Sequence, residues 1–266
     1  MKLLKMLLFI MKEILMNKNI NIEKDNDMTL NKNVMAISSD GIFYTVQGEG
    51  ITMGEPVVFL RLYGCNLHCS YCDTPYTWGK DTDLKIGLGI TLITLEKLAK
   101  DIEKLWPKTN KKYKTLVITG GEPLLQKEAI DNLMKLLPDW FVEIETNGTI
   151  MPTKKQLEEC QFNCSPKLSN SGNDEIRING KVLKVINKND SQFKFVIRNE
   201  EDVKEIERDF IKPYKLDTEK IILMPEGVSV KELRKHALAV VDICLEKGYR
   251  LLDRLQINIW GKKRRV

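Results

Sequence analysis

From Val34 onward, short apolar runs alternate with stretches of helical spacing. Residues 56–62 (PVVFLRL) form an apolar, β-branched run that predicts a buried strand and leads straight into a loop at Tyr63-Gly64-Cys65. Further strands are predicted at 115–118 (TLVI), 141–145 (FVEIE), 192–197 (QFKFVI), 221–224 (IILM) and 255–260 (LQINIW), the last closing the chain. Between them, apolar residues at helical spacing predict helices over 94–105 with Thr94 as N-cap, 128–137, 200–208, and a long 229–247 with Ser229 as cap and Gly248 as stop. A polar stretch between Pro166 and Ser191 reads as surface loop plus a short helix. No internal repeat is visible. Strand, loop and helix in alternation predict parallel βα units, whose ligands gather at the C-terminal ends of the strands.

Composition changes this picture little. The 266 residues suit one large domain, and an apolar fraction of 42% is ordinary for a soluble protein. A net charge of +5 arises from 42 basic against 37 acidic residues, so charge gives no reason to expect nucleic-acid binding. Residues 1–16 (MKLLKMLLFIMKEILM) are too short and too interrupted by charge to span a membrane, and no small-residue cleavage site follows. The Asn/Lys-rich segment behind them has a disordered composition. Residues 1–34 are therefore expected to be an extension or a mis-assigned start, with Met28 or Met35 as alternative starts, and 35–266 the domain.

Six cysteines bring in the chemistry. Three of them, Cys65, Cys69 and Cys72, lie within eight residues. A tight cluster of this kind points to metal ligation in a reducing compartment. Three thiolates separated by three and then two residues can hold three irons of a cubane cluster, leaving the fourth open. Zinc would want a fourth Cys or His, and His68 is badly placed beside Cys69. Cys160 and Cys164 show helical spacing without further partners and read, with Cys244, as structural. His236 reads as packed or solvated. Arg61 interrupts an apolar strand, so it needs an anion, either a ligand carboxylate or a structural partner. The turn Thr119-Gly120-Gly121-Glu122-Pro123 ends a strand with glycines that permit close backbone approach.

The motif around Cys65, Cys69 and Cys72 resembles the signature of the radical S-adenosylmethionine superfamily. The segments FYTVQGEG (43–50), FLRLYGCNL (59–67), Cys72-Asp73-Thr74, TGGEP (119–123), ETNGT (145–149), Ser165-Pro166-Lys167 and FKFV (193–196) resemble one member family, the 7-carboxy-7-deazaguanine synthases of queuosine biosynthesis. The resemblance runs from about residue 42 to residue 260.

This resemblance implies an α/β fold, an incomplete (β/α) barrel of parallel strands with helices outside. It implies a 4Fe-4S cluster on Cys65, Cys69 and Cys72 and S-adenosyl-L-methionine bound by Tyr71, Gly121, Glu122, Ser165, Pro166, Lys167, Met224, Pro225, Glu226 and Gly227. It further implies Mg2+ at Thr74 and substrate contacts from Val46, Gln47, Gly48, Glu49, Arg61, Thr119 and Val266. The implied reaction begins when an electron from the cluster cleaves S-adenosylmethionine to a 5′-deoxyadenosyl radical. The radical takes hydrogen from C6 of 6-carboxy-5,6,7,8-tetrahydropterin, whose ring contracts with loss of ammonia to 7-carboxy-7-deazaguanine. A flavodoxin- or ferredoxin-type donor, a homodimer and a cytoplasmic location are implied too. The residues leave three rivals: a glycyl-radical-enzyme activase, an iron-sulfur electron carrier and a zinc module. One departure from the family is Asn258, which stands where a His is expected near the final strand.

Overall fold

In the computed structural model, residues 32–78, 89–107, 113–173 and 176–266 are described. The expected extension lies outside the described residues up to position 31. Among the described residues, nine strands form one open sheet: β1 (Val34–Val46), β2 (Pro56–Leu62), β3 (Ile90–Thr94), β4 (Lys114–Gly120), β5 (Trp140–Thr146), β6 (Cys160–Cys164), β7 (Ser191–Ile197), β8 (Ile221–Pro225) and β9 (Arg250–Leu251). Their order is β3-β1-β2-β4-β5-β6-β7-β8-β9. Strands β2 and β4 to β9 run parallel, as the βα alternation predicts. The hairpin partner β1 is antiparallel to both β2 and β3. An incomplete barrel results, with its first edge turned over.

Side chains alternate across each strand, so the sheet has two faces of different chemistry. The convex face carries Leu60, Ile118, Ile144, Phe162, Phe195 and Leu223, all fully buried in the main core. Helices cover it. In the helix Leu95–Leu105, Leu95, Leu98, Ala99 and Ile102 supply the buried stripe, and the Thr94 side chain accepts from Lys97 N as the expected cap. The helix Lys154–Glu159 starts with a capping box between Thr153 and Gln156 that the sequence reading had not picked out.

Four expectations need correction. Residues 255–260 are a helix, Leu255–Trp260, and not a closing strand. Leu255 N donates to Gly48 O at 2.9 Å and Gln256 Nε2 to Glu49 Oε1 at 2.7 Å, so tertiary contacts with the 47–49 turn override the strand-like alternation. The sheet has already ended at β9. The long helix 229–247 is two helices, Val230–Leu238 and Val241–Lys247. The chain leaves helical geometry at Val240 (φ −131°), whose side chain turns into the core. Its Ser229 cap and the Gly248 stop (φ 73°) are as expected. The helix starting at Glu200 changes at Ile206 to a π-helical turn, Ile206–Ile211. Cys160 and Cys164 lie on β6, where residues four apart also share a face, and both are buried.

Candidate active site

The concave face is polar. Registers bring Arg61 beside Thr119, Glu143 beside Gln161, Glu145 beside Asn163, and Asn163 beside Gln192. Above these positions, at the C-terminal ends of the strands, opens a cavity of about 830 Å³. Cys65, Cys69 and Cys72 line it together with Tyr71, Thr74, Gly121, Ser165 and Lys167. Met224, Glu226 and Gly227 line it as well, as do Val46, Gln47, Gly48, Glu49, Arg61, Thr119 and Val266. Glu122, Pro166 and Pro225 are not on its surface.

Glu122 sits behind the wall. Its carboxylate accepts from Leu124 N at 3.0 Å, Thr146 Oγ1 at 2.8 Å and Asn147 N at 2.7 Å. Burial pushes its carboxyl up to about 7, against the pull of those donors. The residue therefore fastens the Gly-Gly turn to the end of β5. The glycines let that turn approach closely: a Cβ on Gly120 (φ 138°) would lie 2.1 Å from Leu62 O, and one on Gly121 the same distance from Gly64 O.

The cysteine loop is held from several sides. Gly64 N donates to Thr77 O at 2.8 Å, and Asn66 bonds both Asn147 (3.0 Å) and Thr149 (2.8 Å). Each sulfur has an N–H donor: Leu67 N to Cys65 at 3.5 Å, Asn173 Nδ2 to Cys69 at 3.3 Å, Trp78 Nε1 to Cys72 at 3.2 Å. His68 stacks on Trp78 with ring centroids 4.7 Å apart. Asn173 belongs to the segment expected to be plain surface loop, yet it also accepts from His68 N at 2.8 Å. Burial pushes the Cys65 thiol up to about 12 and raises Cys69 as well, so a cation is needed to draw off these protons. Among the described residues, no His, Cys, Asp or Glu trio converges on the volume of a single ion.

The opposite wall is a charge clamp. Lys194, buried on β7, donates to Glu49 at 2.7 Å and to Glu145 at 2.9 Å. Arg254 donates to Glu49 at 3.0 Å, to Gly227 O at 2.9 Å and to Asp73. Burial alone would raise the Glu49 carboxyl, but the Lys194 and Arg254 charges outweigh it and hold it well below the usual carboxylate range. Beside the loop, Arg198 lies 5.8 Å from the Tyr71 ring and pairs with both oxygens of Glu226 at 2.6 and 2.8 Å. Lys167 donates to Ser165 Oγ at 2.8 Å. His236 also lines the cavity, with Nδ1 2.6 Å from Glu226 O. Asn258 does not: it is exposed and donates to Asp253 at 2.8 Å.

Arg61 has an acid, Asp40, but at 3.6 Å. Its buried Nε has no hydrogen-bond partner among the described residues. Asp40, Glu145, Lys194 and Arg254 all line the cavity, and sequence reasoning assigned none of them a role. The available signal was alternation: Glu143 and Glu145, Gln161 and Asn163, Gln192 and Lys194 place polar residues at every second position of buried parallel strands, which are otherwise apolar throughout.

An open, mostly parallel sheet with a three-cysteine loop at its C-terminal mouth is the architecture of a radical S-adenosylmethionine protein, and the Radical SAM superfamily model matches residues 60–238. A 7-carboxy-7-deazaguanine synthase of Pyrobaculum aerophilum is 35% identical over 227 residues, spanning 84% of this chain and 94% of the relative. One from Halobacterium salinarum is 29% identical, spanning 85% and 91%. The crystal structure of QueE from Escherichia coli shares the fold, with a TM-score of 0.63 at 24% identity over 83% of this chain and 94% of that one. The chain belongs to the 7-carboxy-7-deazaguanine synthase family of the radical SAM superfamily. These relatives favour neither the activase nor the electron-carrier reading. Membership implies a 4Fe-4S cluster and S-adenosylmethionine. The residues fit: three sulfurs on one cavity wall, each with an N–H donor, are suited to cluster thiolates, and among the described residues no fourth cysteine lines the cavity. Among the described residues, no helix is long and apolar enough to cross a membrane.

Proposed function

We propose that this protein converts 6-carboxy-5,6,7,8-tetrahydropterin to 7-carboxy-7-deazaguanine and ammonia, a step of queuosine biosynthesis. The observation that carries the reading is that one cavity joins the three cysteines to a wall of Gln47, Glu49, Thr119 and Arg61. Cys65, Cys69 and Cys72 hold the cluster. Tyr71, Gly121, Ser165, Lys167, Met224, Glu226 and Gly227 contact S-adenosylmethionine. When bound, cluster and S-adenosylmethionine together supply the hydrogen abstraction.

The chain's own residues orient the pterin and exclude water. Arg61 receives its carboxylate, using the Nε that lacks a partner among the described residues. Glu49, held ionised by Lys194 and Arg254, accepts N–H groups of the ring. Val46, Gln47, Gly48, Thr119 and Val266 complete the pterin's surroundings. Glu122 acts from behind, holding the turn that presents Gly121. Thr74 contributes an oxygen to Mg2+, which wants few protein ligands beside water and substrate. Pro166 and Pro225 shape the turns that carry their neighbours.

We further propose that the protein works as a cytoplasmic homodimer reduced by a flavodoxin- or ferredoxin-type donor, and that residues 35–266 form the catalytic domain. Anaerobic incubation of the reconstituted protein with substrate, S-adenosylmethionine and reductant, with and without Mg2+, tests the reading. Mass spectrometry is expected to show 7-carboxy-7-deazaguanine, more of it with Mg2+. A cluster-loaded protein that cleaves S-adenosylmethionine yet forms no deazaguanine would overturn it.

A further inference from the structure

One carboxylate in the cavity wall faces two guanidinium groups. Asp40 is buried, at 4% exposure, on β1. Arg264, from the segment after the last helix, donates through Nε to Asp40 Oδ1 at 3.0 Å and through its terminal nitrogen to the same carboxylate. It also donates to Ser39 Oγ at 3.1 Å. Its guanidinium lies 3.7 Å from the centre of the Tyr76 ring, and the Tyr76 hydroxyl donates to Asp40 as well. Both oxygens of Asp40 are thus engaged before Arg61 is considered. Arg61 is left at 3.6 Å, beyond a good hydrogen bond, with Nε unpartnered and buried against the cavity.

We propose that Arg264 is a positioning residue for recognition of the substrate carboxylate: by occupying Asp40 it keeps the Arg61 guanidinium available to the incoming anion. This rests on the reading above that Arg61 meets that carboxylate. Without Arg264, Asp40 is the nearest anion to Arg61, and the two collapse into a bidentate pair. Substrate must then displace a buried protein carboxylate to bind. With Arg264 in place, one acid is shared by two cations, and the three side chains together present a net positive charge to the ligand.

The sign of a double substitution separates this role from simple tethering of the chain end. Arg264→Gln is expected to raise KM for 6-carboxy-tetrahydropterin about tenfold, with kcat within about twofold. Asp40→Asn keeps an acceptor for Tyr76 and removes the competing charge. Combined with Arg264→Gln, it should return KM to within about threefold of the parent. If Arg264 only ties the segment down, Asp40→Asn breaks the same tie and gives no rescue.

Calorimetry on the intact, cluster-loaded protein adds a readout independent of turnover. Affinity for 6-carboxypterin should fall in Arg264→Gln and recover in the double variant, while affinity for pterin without the carboxylate stays level throughout. An unchanged KM in Arg264→Gln, or a double variant as weak as the single one, overturns the proposal. Equal binding of the two pterins by the parent protein, unaltered by Arg61→Gln, instead overturns the Arg61 reading on which it stands.

Discussion

The same strands present two faces that answer to different rules. On the convex side Leu60, Ile118, Ile144, Phe162 and Phe195 meet helices, and every one is fully buried. On the concave side their immediate neighbours include Thr119 and, tied by hydrogen bonds and ion pairs, Arg61, Glu143, Glu145, Asn163 and Lys194. The convex face is governed by volume: many side chains of similar size and chemistry would serve there, provided the packing closes. The concave face is governed by complementarity of charge, in which one missing partner strands the others. Fold and function are therefore written on alternate residues of one set of strands.

Five substitutions sharpen that contrast. Cys69→Ala should remove product formation altogether while leaving the melting temperature of the cluster-free protein nearly unchanged, since Cys69 contributes little to the core. A large loss of melting temperature would show that the loop is part of the core after all. Lys194→Met should cost roughly 3–5 kcal/mol in denaturant unfolding, because Glu145 loses its cation and Glu49 is left with Arg254 alone. Phe162→Ala on the convex face should cost a similar 3–5 kcal/mol or so, yet leave kcat per folded molecule unchanged. A loss of kcat there would break the separation of the two faces.

Glu49→Gln gives a pH signature in unfolding. The Glu49 carboxyl is lowered in the folded state, so the stability it contributes is present above its unfolded value of 4.5 and fades as pH falls through the folded one. The gap between parent and Glu49→Gln should accordingly stay constant from pH 7 down to about 5 and narrow below. Smallest of all, Asn258→Ala should change stability by less than about 0.5 kcal/mol and activity not at all. Asn258 is exposed and bonds only within its own turn and helix.

How much of this was legible follows the same division. The convex face could be read from runs such as PVVFLRL and IILM, and helix ends from Thr94, Ser229 and Gly248. The cysteine loop was legible because three reactive residues at tight spacing have few other uses. The clamp was not, because Glu49, Asp73, Glu145, Lys194 and Arg254 are far apart in sequence and acquire meaning only when β2 to β8 curve them together. Residues 255–260 misled for a related reason. Their alternation is real, but Gly48 and Glu49, two hundred residues earlier, decide the conformation. β6 was missed since CQFNC alternates polar and apolar positions without a β-branched residue.

The central claim is that Cys65, Cys69 and Cys72 hold a cluster with one iron left for S-adenosylmethionine. Electron paramagnetic resonance of the anaerobically reconstituted, reduced protein tests this most directly. The account predicts the signal of a reduced 4Fe-4S cluster that changes when S-adenosylmethionine is added. A signal indifferent to S-adenosylmethionine, or zinc in place of iron in the purified protein, would contradict it.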